Sequence, residues 1–145
     1  MSGFSKVKTA RGAVAIEFSL VFVLLFMLFY GIAGYFVPLL LGASYQQVAG
    51  DALREAVAMH FRPGEPVDLQ AHVRQHIHRS SIPESWLHTC PGYPDNGFLR
   101  MDGAQWQVCL RHAEPASLIP PFRIFGWQVP QLPDDIRGEA AMRLH

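Results

Sequence analysis

No charged residue falls between Glu17 and Asp51, and no lysine occurs after Lys8. The first absence leaves the run from Phe18 to Ala43 without charge. A helix of that length, at about 1.5 Å per residue, exceeds the roughly 30 Å of a bilayer's hydrocarbon, so it can span with tilt. The second absence removes any basic patch from the rest of the chain. From Ser44 onward nine arginines stand against eleven acidic residues, a balance that gives nucleic acid no footprint. Cysteine is also scarce: Cys90 and Cys109 are the only two, and neither belongs to a C-x-x-C pair. Internal repeats and low-complexity tracts are lacking as well.

What is present is asymmetric. Lys6, Lys8 and Arg11 form a leader with no acid in it. Positive charge beside the first apolar segment predicts a cytoplasmic N-terminus, with the larger C-terminal part across the membrane. With about 30 of the 145 residues in the apolar segment, one further domain of roughly 100 residues fits. A cleaved secretory signal competes for the apolar run. Signal cores run about 7 to 15 residues and end in a small-residue site. This run is longer, and its small cluster Gly42-Ala43-Ser44 follows three leucines. The segment reads as an anchor.

Beyond the membrane the two cysteines meet an oxidising compartment, where an isolated pair is most simply a disulfide. Eighteen residues separate Cys90 from Cys109, and closing such a loop contributes roughly 3 kcal/mol. A Cys/His metal site is the alternative, weakened by the missing C-x-x-C.

The pattern predicts a polar, disordered leader over residues 1–12 and a helix over 13–61. Pro38 kinks that helix, and Val48, Ala52, Glu55 and Met59 share one face where it resumes beyond Ala43. Pro63-Gly64 ends it. Residues 62–145 form the exported domain. There Asp68 caps a second helix with a Leu69-Val73-Ile77 stripe. Phe98–Met101 and Ala104–Leu110 make a β-hairpin around Asp102-Gly103. Ala113 to Pro133 carries five prolines and stays irregular. Ile136, Gly138, Ala140, Met142 and Leu144 alternate with exposed positions, the period of a C-terminal strand with one buried face. The fold class is α+β: a long N-terminal transmembrane helix, then a small exported domain with a hairpin and a closing strand.

Glu17 stands at the mouth of the apolar run. Insertion scales charge about 2.5–3.5 kcal/mol for an ionised side chain near the bilayer centre. The bland reading is a carboxylate snorkelling at the interface. The sharper one starts from Gly12, five residues earlier. A cut after Gly12 gives Ala13 a free amine and makes Glu17 the fifth residue. A buried carboxylate needs a cationic partner, and the amine of a staggered neighbouring subunit supplies one.

The segment RGAVAIEFSLVFVLLF resembles the N-terminus of the TadE-like family, minor pseudopilins of the tight-adherence (Flp) pilus system. Gly12, Glu17 and Phe18 match its pattern of basic leader, Arg-Gly, small-apolar tetrapeptide, Glu-Phe and long apolar helix. The ending Gly138-Glu139-Ala140-Ala141-Met142-Arg143-Leu144 resembles the family's closing strand less specifically. The likeness covers about the first 50 residues; Pro38 and the larger exported domain depart from the small major pilin. It implies processing between Gly12 and Ala13 by a prepilin peptidase, register set by Glu17 and Phe18, and no catalytic role. The implied partners are that peptidase, other pilins and minor pseudopilins, an inner-membrane assembly platform and the inner membrane itself. No cofactor is implied.

Other chemistry is weaker. His72, His76 and His78 cluster, with His72 and His76 four apart on one helix face, but no His-Glu-x-x-His pattern completes a metal site. Ser80, Ser81 and Ser85 lack a glycine-flanked elbow. Gly31-Ile32-Ala33-Gly34 offers close helix approach, and Phe18, Phe22, Phe26 and Phe29 form a stripe for lipid or helix packing. Trp86, Trp106 and Trp127 are expected in the exported core. An uncleaved single-pass accessory or sensor protein is the main alternative. A secreted enzyme cut near Ala43 is a third, without a recognisable catalytic constellation.

Overall fold

The computed structural model describes residues 8–64 and 66–145, with side chains from Gly12 onward except those of Asp95 and Ile124. The expected leader therefore lies outside the described residues as far as Val7. Helix α1 is continuous over Lys8–His60, about 80 Å of rise. The described residues Lys8–Gly12, expected in the leader, are already helical, since Lys, Ala and Arg are strong helix formers. Pro38 lies inside α1 without ending it. The helix has two regimes: every residue from Gly12 to Phe29 is exposed, whereas Tyr45, Ala49, Ala52, Leu53 and Ala56 are buried. The N-terminal part is long and apolar enough to cross a membrane.

The buried stripe differs from the expected face. Ala52 is on it, but Val48, Glu55 and Met59 are only half-buried. Small residues decide this rotation, since the alanines let a strand lie close to the helix.

Helix α2 spans Leu69–His78. The Asp68 carboxylate accepts from the Ala71 N–H at 3.2 Å, the expected cap. Val73 and Ile77 are buried and Leu69 half-buried against α1. Each of the two buried side chains contributes about 1.5–3 kcal/mol.

The sheet comprises β1 (His88–Thr89), β2 (Leu99–Asp102), β3 (Gln105–His112) and β6 (Ile136–Arg143), all antiparallel. Strand β6 pairs along the whole of β3, while β1 and β2 share its other edge end to end. Trp106, Val108, Leu110 and His112 are all buried, as the period-two alternation of β3 requires of one face. The C-terminal alternation is present as far as Ala140: Ile136 and Gly138 are buried and Ala140 half-buried, Arg137 and Glu139 exposed. Met142, expected on the buried face, is instead exposed beyond the helix that covers the strand's first half. At Gly138 an added Cβ would overlap the Tyr45 carbonyl, so β6 lies directly on the helix backbone. The Gln46 side-chain oxygen accepts from the Glu139 N–H at 2.6 Å, using a donor on the outer edge of β6.

The first hairpin forms, but its turn slips by one residue. Asp102 pairs with Gln105, and Gly103-Ala104 are the central residues, with Gly103 at φ +55°. Glycine at the first central position suits a type II′ turn. The slip moves the pairing by two residues and so leaves the same side chains facing the core.

Cys90 and Cys109 are joined in a disulfide, with Cα atoms 5.9 Å apart. Cys109 points to the face of β3 opposite Val108 and Leu110, and the bond covers it with the segment after β1. Reduction should lower stability by about 3 kcal/mol, read from urea unfolding with and without reductant.

The proline-rich stretch is more ordered than expected. Strands β4 (Phe122–Ile124) and β5 (Trp127–Val129) form a second hairpin between Pro121 and Pro130. Its turn, Phe125-Gly126, has φ of +51° and +85°, positive at both central positions as in a type I′ turn.

Candidate assembly helix

The expected processing site and its carboxylate lie on the exposed first half of α1. Gly12, Ala13, Glu17 and Phe18 are all exposed. Nothing within 4 Å would meet a side chain added at Gly12. Ala13 and Glu17 are four apart in a continuous helix and so share one face. Glu17 has no hydrogen bond or ion pair among the described residues. The Gly12–Ala13 bond itself sits inside helical backbone, so a protease must unwind that turn. Gly12 eases this, since glycine lowers helix stability by about 1 kcal/mol relative to alanine. Phe18 stacks on Phe22 at 6.4 Å between ring centroids. The rest of the aromatic stripe is open to the surroundings.

Gly34, expected to admit a second helix, is occupied within the chain. A Cβ there would come within 3.1 Å of Pro130 Cγ. Gly31 has nothing comparable near it and borders a cleft with Tyr30 and Phe122.

The histidine cluster gains a partner that sequence spacing could not supply. Glu55 of α1 reaches His72 Nε2 at 2.9 Å with Oε1, and its other oxygen meets His76 Nδ1. Two imidazoles of one α2 face thus clamp one α1 carboxylate. The hydrogen bond from His72, helped by the His76 charge, holds the Glu55 carboxyl below its ordinary 4.5 against the opposing effect of desolvation. No group of three His, Cys, Asp or Glu among the described residues is disposed to hold a metal. His78 separates from this pair and meets Glu84 at 3.1 Å.

The sign of the Glu55 effect follows from linkage. A carboxyl depressed in the folded state adds stability that is present above its unfolded value and lost as pH falls through the folded one. Glu55→Gln should therefore lower the melting temperature at neutral pH. Its deficit relative to the parent should shrink below pH 4.5, as thermal melts at stepped pH will read.

Of the tryptophans, Trp106 is buried and Trp86 half-buried, but Trp127 is 76% exposed, which corrects its expected core position. Trp127 belongs to the second hairpin, which lies on the apolar helix rather than on the sheet. His112 is a buried polar residue that the sequence did not single out. Neither ring nitrogen has a partner among the described residues, and its ring lies 5.4 Å from Trp86. Ser85, His88 and Glu114 border the same cleft, yet no hydrogen bond there links a serine to an imidazole. The Tyr45 hydroxyl donates to the Trp86 carbonyl at 2.7 Å, and burial pushes its pKa up to about 12.

No protein-family model, no curated protein and no solved structure matches this chain.

Proposed function

We propose that this chain is a non-enzymatic, TadE-like minor pseudopilin, cut between Gly12 and Ala13 and assembled through its apolar helix. The observation that carries the reading is that Ala13 and Glu17 share one exposed face, with Phe18 exposed beside them, at the start of a helix apolar enough to cross a membrane. A domain fixed to the far half of the same helix supports it too, since it leaves the first half open to neighbouring helices. In this reading the N-terminus is cytoplasmic and the C-terminal domain periplasmic. Its partners are a prepilin peptidase, other pilins and minor pseudopilins, and the inner-membrane assembly platform. The Ala13 amine of one subunit meets Glu17 of the next, so register depends on cleavage.

Gly12→Val tests the proposal, because a branched side chain at the cut obstructs the peptidase while leaving the apolar helix intact. Co-expression with an active prepilin peptidase should shorten the parent chain and leave the variant at full length. Both should remain in the membrane fraction. One observation favours an uncleaved membrane accessory protein instead: the Gly12–Ala13 bond lies within helical backbone. That reading predicts identical mobility for the two chains.

A further inference from the structure

The second hairpin has a composition that water alone does not explain. Phe125 is fully exposed, Trp127 is 76% exposed and Phe122 is 51% exposed. Phe125 also holds φ at +51°, where an aromatic side chain is strained and asparagine or glycine is favoured. Strain and exposure at one turn residue point to a role outside the folded core.

Position supplies the rest. The hairpin leans on α1 well inside the apolar run: the Tyr30 hydroxyl donates to the Pro120 carbonyl at 2.9 Å, the Tyr30 and Phe122 rings lie 4.8 Å apart, and Pro130 fills the space at Gly34. If the helix crosses a bilayer, about twenty residues from Phe18 reach Val37 before leaving the hydrocarbon. Tyr30 is then about 10 Å below that boundary. A hairpin attached there shares the helix's surroundings. Amphipathic anchors seat about 5–10 Å into the headgroup–acyl boundary, and tryptophan concentrates at the headgroup level just above it.

We propose that the Phe122–Val129 hairpin is a membrane-interface anchor. Its aromatic tip dips into the leaflet facing the C-terminal domain and fixes that domain against the lipid surface. Arg123, exposed on the same hairpin, carries its charge on a long apolar stem that lets it reach the headgroups. The two-stranded hairpin leaves the outer edges of both strands unpaired, which suits the hydrated interface and not the bilayer centre. The base of the hairpin would cap the approach of other helices at Tyr30 and Gly34, leaving the helix open to neighbours nearer Glu17. The inference rests on α1 crossing the membrane, and not on cleavage at Gly12.

Full-length protein in phosphatidylcholine–phosphatidylglycerol vesicles tests it, with acyl chains brominated near the headgroup as the quencher. The parent is compared with Trp127→Phe, a substitution at an exposed position that leaves Trp86 and Trp106 as common background. Bromolipid should quench the parent more than the variant, and aqueous iodide should quench both equally. A Trp127 component reached by iodide but not by bromolipid overturns the anchor. Shielding from both quenchers also overturns it, since a protein surface then covers the tip. Flotation separates the causes of failure. Protein that does not float with the vesicles removes the membrane-crossing helix along with the anchor, whereas floating protein with unquenched Trp127 removes the anchor alone.

Discussion

Gly138→Val should unfold the C-terminal domain. A Cβ at this position overlaps the backbone of Tyr45 and Gln46, which belongs to a helix and cannot swing aside as a side chain does. Either β6 leaves α1 or the Leu110–Gly138 pairing breaks. Each outcome opens the layer that holds Tyr45, Ala49, Val108 and Ile136. The loss should exceed about 4 kcal/mol, beyond the ordinary range of point substitutions. Much of the 5–15 kcal/mol that holds a typical domain would be gone. Urea unfolding followed through the buried Trp106 reads this directly. Gly50→Ala provides the contrast on α1, where nothing within 4 Å meets the added carbon. It should stabilise the helix by about 1 kcal/mol.

Glu17→Ala should abolish assembly while leaving membrane insertion intact. Removing an ionised group eases insertion of the apolar segment, so a variant that is merely misfolded or misrouted is not expected. In the proposed pair, the Ala13 amine of the neighbouring chain would lose its counter-charge. Truncating one partner of a buried ion pair costs about 3–5 kcal/mol, which corresponds to more than about 100-fold in association. Co-purification of the parent with its pilin partners should therefore disappear in the variant. Equal recovery would mean that Glu17 rests at the interface without a partner.

Local pattern was legible in this chain, and distant pairing was not. The Asp68 cap, the Val73–Ile77 stripe and the alternation from Ile136 to Ala140 each depend on neighbours within a few residues and are present in the fold. The cysteine pair was legible because only one pairing exists. Periodicity places Glu55 on a helix face, but its histidines follow only after 17 positions and a turn. The closeness of Gln46 to Glu139 spans 93; no periodicity encodes either. The β4–β5 hairpin carries no sequence signature because prolines flank two very short strands, and Phe-Gly is an unusual turn pair. Trp127 was misplaced for the same reason: an aromatic in a small domain reads as core until its hairpin is seen lying on the apolar helix. Of the expected leader, only Lys8–Gly12 lies among the described residues, and there the backbone is already helical.

The candidate site was legible as a motif and incomplete as a geometry. Gly12, Ala13, Glu17 and Phe18 could be named from spacing, and all four lie exposed on one helix. Their proposed partner is another chain, so a single subunit shows only one side of the contact.

The mature N-terminus tests the pseudopilin reading most directly. Intact-mass spectrometry of protein extracted from membranes that contain an active prepilin peptidase should find a chain beginning at Ala13, the 145-residue sequence less its first twelve. A full-length chain retaining the Lys6, Lys8 and Arg11 leader would contradict it.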